Sequence, residues 1–265
     1  MTELDGDTTE LSRPARRQAE IAAYVVKHGS VSANDLVEAF GVSVMTVHRD
    51  LDELERRGVV RKYRGGVTAQ PTSVFESNVA YRLTTAQAEK MAIARHARTM
   101  IEPGMSVMLD DSTSALALVD LLEDITPLTV ATNFLPAIAK LTGYRDVTLL
   151  ALGGIYSATH DSFGGMPCAE AVEALNTDLL FCSVSAVSAT HAFHQEQEIV
   201  LVKQAMLRAA RTKVLLVDHV KLQRTALHRL APLTDFDVVV VDEKTPAELI
   251  QAARDHGATV EVAKL

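Results

Sequence analysis

Between Ser30 and Gly66 the apolar residues recur first with a helical period and then with the alternation of a strand. Leu36, Val37 and Phe40 share one face of a short helix. Val44, Val47, Leu51 and Leu54 form a stripe along a second, predicted to run from Val44 to about Arg57. Thr46, His48, Arg49 and Asp50 lie largely off that stripe. Val59 to Tyr63 alternates as a strand. The punctuation agrees with this division. Ser32 stands three residues before Asp35, a capping-box spacing that starts a helix. Gly41 stops that helix by accepting a left-handed backbone. Ser43 caps the next, Gly58 ends it, and Gly65–Gly66 makes a tight turn. Two short helices about a tight turn, followed by a hairpin bearing Arg61, Lys62 and Arg64, predict a winged helix-turn-helix, a shape that fits a DNA groove. In that reading Ser43, Thr46, His48 and Arg49 present donors to DNA. Lys62, Arg64, Gly65 and Gly66 lie against phosphates, where they position without reading sequence. An ordinary helical subdomain for protein contacts is the alternative.

Beyond a polar stretch read as a linker (residues 69–84), a helix is predicted over Thr85–Ile101, and strand-like and helix-like runs then alternate. The strands are Met105–Asp110, Leu128–Ala131, Val147–Leu152, Leu179–Val184, Lys213–Asp218, Asp237–Val241 and Thr259–Val262. The helices between them are Ser114–Glu123, Leu135–Thr142, Ala169–Leu175, Ile199–Ala210 and Pro246–His256. Several strands are continuous apolar runs, as strands buried on both faces must be. The alternation predicts an α/β domain with a mostly parallel sheet. The expected organisation is a disordered tail (1–11), a winged helix-turn-helix (12–68), the linker, and an α/β effector domain (85–265).

In such a sheet ligands sit beyond the carboxyl ends of the strands, and polar residues gather there. Asp110, Asp111, Ser112, Thr113 and Ser114 follow one strand; Thr132 and Asn133 follow the next; Gly153 and Gly154 the third; Asp218 and then Lys221 a later one. Hydroxyls at a helix start suit an anion, and simple capping is the bland reading for Ser112–Ser114. Lys221 and Lys203 supply positive charge, although a solvated helix position explains Lys203 as well. Asp110, Asp111, Asn133 and Asp218 suit sugar hydroxyls. The run from His191 to Glu198 holds metal-capable side chains, but its spacing matches no closed site; it reads as a polar loop leading to a helix, with Glu198 near the ligand. Metal: none. No cofactor is implied.

Net charge is −8 over 265 residues. Taken alone it argues against nucleic acid, but its distribution does not. Residues 12–68 are net +3, whereas residues 1–11 carry four acids and no base. A basic end on an acidic body suits a protein that meets DNA with one part only. The two cysteines, Cys168 and Cys182, imply a reducing, cytoplasmic setting, and no apolar run reaches membrane-spanning length.

The segment VSVMTVHRDLDELERRGVVRKYRGG, with LDDSTS at 109–114, ATN at 131–133, LGG at 152–154, E…VKQAM at 198–206 and VDHVK at 217–221, resembles the DeoR family of bacterial transcriptional repressors. His48 stands where that family has an arginine, and SVSAVSATHAFHQ lacks the family's glycines. The resemblance implies a sensor domain related to the ribose-phosphate isomerase fold and a phosphorylated sugar or other phosphorylated metabolite as effector. The expected partners are double-stranded operator DNA, that effector and a second copy of the chain in a dimer or tetramer, with no membrane. A sugar-phosphate isomerase with a DNA-binding appendage is the alternative; Asp110 or Asp111, Glu198 and Lys221 would be its acid and base.

Overall fold

The computed structural model describes residues 13–28, 30–56, 59–63, 65–69 and 79–265. The chain divides into two compact units, Met1–Thr84 and Thr85–Leu265.

In the first unit, helix α1 (Arg13–His28), strand β1 (Ser30–Val31), α2 (Ala33–Phe40), α3 (Val44–Arg56), β2 (Val60–Tyr63), β3 (Gly66–Ala69) and α4 (Val79–Thr84) follow in order. The strands form an antiparallel sheet in the order β1–β3–β2. Ile21 and Val25 of α1, Leu36 of α2, and Val47, Leu51 and Leu54 of α3 meet Val60 and Val67 in one core. Val44, expected in the stripe, is 47% exposed. Asp50, expected off the stripe, is buried. The wheel explains it: Asp50 follows Val47 by three residues and precedes Leu54 by four, so it points inward. Helix α4 lies within the stretch read as a linker. The expected tail, Gly58, Arg64 and residues 70–78 fall outside the described residues.

The second unit contains β4 (Ser106–Leu109), β5 (Leu128–Thr132), β6 (Val147–Ala151), β7 (Ile155–Ser157), β8 (Ser162–Gly164), β9 (Thr177–Cys182), β10 (Ala186–Val187), β11 (His191–His194), β12 (Ala210–Val217), β13 (His228–Pro232), β14 (Val238–Asp242) and β15 (Val260–Ala263). Its helices are α5 (Gln87–Arg98), α6 (Thr113–Val119), α7 (Leu135–Leu141), α8 (Gly165–Glu173), α9 (Gln197–Arg208) and α10 (Ala247–Asp255). Seven strands form one parallel sheet in the order β15–β14–β12–β9–β4–β5–β6. The central strands are apolar on both faces, and Val107, Met108, Leu109, Leu180, Phe181 and Val214 to Val217 are fully buried. From β4 the chain runs outward to β5 and β6, then returns to the other side of β4 to lay down β9, β12, β14 and β15. That reversal makes the ends of β4 and β9 the switch point, the place where sheets of this kind hold a ligand crevice.

Two small features add to this frame. β7 and β8 form an antiparallel hairpin, and β10, β11 and β13 a separate antiparallel sheet. The expected loop at His191–Glu198 is therefore a strand, β11, followed by the start of α9. Strands of two to four residues offer too few alternations to register as a pattern.

Candidate DNA interface and effector crevice

The first unit builds a recognition surface on fixed supports. Ser32 Oγ accepts from the Asp35 amide at 3.1 Å while the Asp35 carboxylate accepts from the Ser32 amide at 2.9 Å, closing the capping box of α2. Hydrogen bonding to the Ser32 amide, and then to its hydroxyl, holds the Asp35 carboxyl below its ordinary pKa. Gly41 ends α2 at φ +63°. Ser43 Oγ accepts from the Thr46 amide at 3.2 Å and lies 2.9 Å from Thr46 Oγ1, so both hydroxyls are tied into the start of α3. The buried Asp50 fixes the helix from beneath: it accepts from Arg17 Nε at 2.6 Å, Arg17 Nη2 at 3.2 Å and Gln18 Nε2 at 3.1 Å.

With that inner face anchored, α3 turns Met45, His48 and Arg49 outward, all exposed. Neither His48 nor Arg49 bonds to another described residue. Lys62 is differently placed. Its ammonium pairs with Asp52 of α3, and its amide donates to Glu55 Oε1 at 2.8 Å. The hairpin is thereby tied to α3. Ser32, Asn34, His48, Lys62, Tyr63, Gly65 and Gly66 line a cleft of about 230 Å³ between helix and hairpin.

In the second unit, several of the residues expected at the strand ends are joined by hydrogen bonds. Asp110, just past β4, accepts from the Ser112 amide at 3.0 Å and, across the switch point, from the Ser183 amide at 2.7 Å. Lys203 Nζ bridges Asp110 and Asp111, reaching Asp111 Oδ1 at 3.0 Å. Ser162 Oγ donates to Asp111 Oδ2 at 3.1 Å. Lys221 Nζ donates to Ser183 Oγ at 2.5 Å and lies 3.5 Å from Asp218. Asn133 Nδ2 donates to the Phe163 carbonyl at 2.7 Å, which joins the end of β5 to β8.

Charge is closely balanced there. Lys203 is not a solvated helix residue: its side chain is 3% exposed. Burial alone would lower its pKa, but the charges of Asp110 and Asp111 outweigh burial and raise it above the ordinary lysine value. Burial would raise the Asp218 carboxyl, yet Lys221, Lys90 and Arg224 hold it below the usual range. Burial, helped by Asp111, pushes the Cys168 thiol up to about 11. Both cysteines are buried and free.

Not every expected residue has the expected setting. Ser112 Oγ caps α6, accepting from the Ala115 amide at 3.0 Å. Glu198 is exposed and bonds to no other described residue, whereas Glu196, which sequence reading passed over, pairs with the buried His160 at 2.8 Å. His160 lies in the turn of the β7–β8 hairpin and Ser162 begins β8, and the sequence carries no legible sign of that hairpin. Gly154 has a clear reason. At φ +154°, an added Cβ would lie 2.5 Å from the Gly164 carbonyl, so only glycine lets β7 close onto β8. An added Cβ at Gly153 meets nothing within 4 Å.

Two family models match the chain: residues 17–72 the DeoR-like helix-turn-helix domain, and residues 85–243 the DeoR C terminal sensor domain. The chain belongs to the DeoR family. It is thus a DNA-binding transcriptional regulator and not an enzyme. Among its DeoR-type relatives, the HTH-type transcriptional regulator YgbI of Escherichia coli K12 is 30% identical over 95% of this chain and 98% of its own length. The putative aga operon transcriptional repressor of E. coli O157:H7 is 29% identical over 98% and 97%. The glycerol-3-phosphate regulon repressor of E. coli K12 is 26% identical over 94% and 99%. Solved structures overlap less closely. Ribose 5-phosphate isomerase A of Methanocaldococcus jannaschii matches with a TM-score of 0.37 at 18% identity, over 50% of this chain and 53% of that one. The Pyrococcus horikoshii translation initiation factor eIF-2B gives 0.43 at 9% identity, over 85% and 87%. Among the described residues of this DeoR-family chain, no helix is long and apolar enough to cross a membrane.

Proposed function

We propose that this chain is a repressor whose hold on paired operator half-sites is weakened by a phosphorylated sugar or polyol bound beyond the ends of β4, β5, β9 and β12. The carrying observation is a pair of buried oxygens left without partners: Ser114 Oγ and Asn133 Oδ1 make no hydrogen bond, although both residues are at least 98% buried. An unsatisfied buried polar atom costs roughly 1–3 kcal/mol, a cost that ligand hydroxyls relieve. Lys221, near the same end of the sheet, supplies the charge for a phosphate. Lys203 does not, because Asp110 and Asp111 already neutralise it; it serves to hold those two carboxylates as acceptors for sugar hydroxyls. The relatives named for the aga operon and the glycerol-3-phosphate regulon support this class of ligand.

On DNA, Arg49, His48 and Thr46 read the major groove, with Lys62, Arg64 and the Gly65–Gly66 turn on phosphate. A dimer or tetramer presents two such surfaces about 34 Å apart, one helical turn. The effector acts by binding the DNA-competent and released arrangements with different affinity.

Thermal unfolding with hexose and pentose phosphates, their free sugars and inorganic phosphate tests the crevice. At a hundred times its dissociation constant the correct ligand adds about 2.7 kcal/mol, several degrees in a unit of this size. Lys221→Ala is expected to shrink the shift for the phosphorylated compound. A free sugar that stabilises as well as its phosphate would remove the phosphate from the reading.

A further inference from the structure

The seven-stranded sheet ends abruptly at β6. In parallel sheets both faces are ordinarily covered, whereas an edge strand left bare is usually guarded by charge, proline or a bulge. β6 reads Val-Thr-Leu-Leu-Ala, without any of these, and among the described residues no strand pairs its outer side. Its even-numbered residues face β5: the Asp146 carbonyl accepts from the Leu128 amide at 3.1 Å, and the Leu152 amide donates to the Thr132 carbonyl at 2.9 Å. Because backbone direction alternates along a strand, the N–H and C=O groups of Val147, Leu149 and Ala151 point away from the sheet.

Apolar side chains surround that edge. Leu150 is 39% exposed, and the chain passes straight into the hairpin, where Ile155 is 63% and Tyr156 50% exposed. Met166 at 63% follows Gly165, whose position lies against Ile155, and Leu135 at 36% is bonded through its amide to Asp161 in the hairpin turn. These five side chains present on the order of 500 Å² of apolar surface, at the upper end of what a monomer leaves bare. A standard interface takes about 800 Å² per partner, of which roughly 65% is apolar in homodimers, so patch and requirement agree.

We propose that β6 pairs antiparallel with β6 of a second copy of this chain, about a two-fold axis through Leu149, joining the two sheets into one. The open edge is self-complementary under that operation. Leu149 faces its own copy and Val147 faces Ala151, which closes about six hydrogen bonds between subunits. The hairpin residues Ile155 and Tyr156 flank the seam. The choice of a second copy as occupant rests on the paired half-sites of the proposed regulator; the bare edge and the apolar patch do not.

The test uses the full chain. Light scattering is expected to give a dimer or an even multiple of one. Leu150→Glu with Ile155→Glu, both at exposed positions, should halve the mass, while an effector-induced melting shift and binding to scrambled DNA persist. Independently, Leu149→Cys should cross-link two subunits on mild oxidation, since facing residues in such a pair stand about 5.5 Å apart between Cα atoms. Glu248→Cys, on α10 at the far side of the sheet order, should not. A monomeric wild type, an unchanged mass for the double variant, or a Leu149→Cys chain that stays uncross-linked each overturns the interface. If the dimer dissociates as expected but no sugar phosphate shifts the melting temperature, the interface stands and the effector reading falls.

Discussion

Replacing Lys203 with methionine probes the centre of the crevice. Methionine keeps the stem's volume and removes the charge. The side chains concerned are 3%, 0% and 4% exposed for Lys203, Asp110 and Asp111, so water cannot take over the ammonium's role. Breaking a buried pair by deleting one partner costs roughly 3–5 kcal/mol, because the other charge is left uncompensated; here two carboxylates are left together. At about 2–4 °C per kcal/mol for a unit of this size, the transition of the second unit should fall by roughly 6–20 °C in circular dichroism. Adding Asp111→Asn to the variant should restore part of the loss, since it removes one of the opposed charges. The pH dependence has a fixed sign. Lys203 has a raised pKa in the folded chain, so its contribution is complete below the ordinary lysine pKa of about 10.4 and is lost only as pH rises through the higher folded value. Between pH 6 and 9 the wild type should therefore show no change in stability from this group. A drop under about 2 °C for Lys203→Met, set against the scale above, would refute the view that the bridge holds the crevice together.

Other consequences are direct. Arg49→Ala should cost about 1–3 kcal/mol on the operator and far less on scrambled duplex in fluorescence anisotropy, as expected for a base contact; equal losses would reduce Arg49 to a phosphate contact. Lys62→Ala should flatten the log–log salt dependence of DNA binding by roughly 0.9, while folding stability changes by at most about 1 kcal/mol because the Asp52 pair is exposed. Ser32→Ala opens the capping box and should lower the stability of the first unit by about 1 kcal/mol in chemical denaturation. Gly154→Ala should destabilise the second unit, since its Cβ would meet backbone rather than a flexible side chain; an unchanged melting temperature would contradict the close approach of β7 and β8.

Legibility followed the length of each pattern. The two helices of the reading head, their serine caps and the Gly41 stop are local matters, settled within a turn or two of chain. So were the seven strands of the large sheet, several of them continuous apolar runs that announce burial on both faces. The topological rule then puts Asp110, Thr132 and Lys221 near one end of that sheet from the sequence alone.

What tertiary structure alone decided is how those residues are used. Asp50 belongs to the apolar stripe by its spacing, but only the arrival of Arg17 and Gln18, more than thirty residues earlier, makes a buried carboxylate tolerable there. Lys203 reads as an ordinary surface lysine of an amphipathic helix until α9 packs it against two aspartates more than ninety residues away. His160, Ser162 and Glu196 carried no signal, because the β7–β8 hairpin is too short to show a period and its closure rests on Gly154 approaching a distant carbonyl. A sequence determines its own local propensities and periods. Which charges end up buried together, and which strand is left as an open edge, depends on contacts between segments far apart in the chain, and no local pattern encodes those.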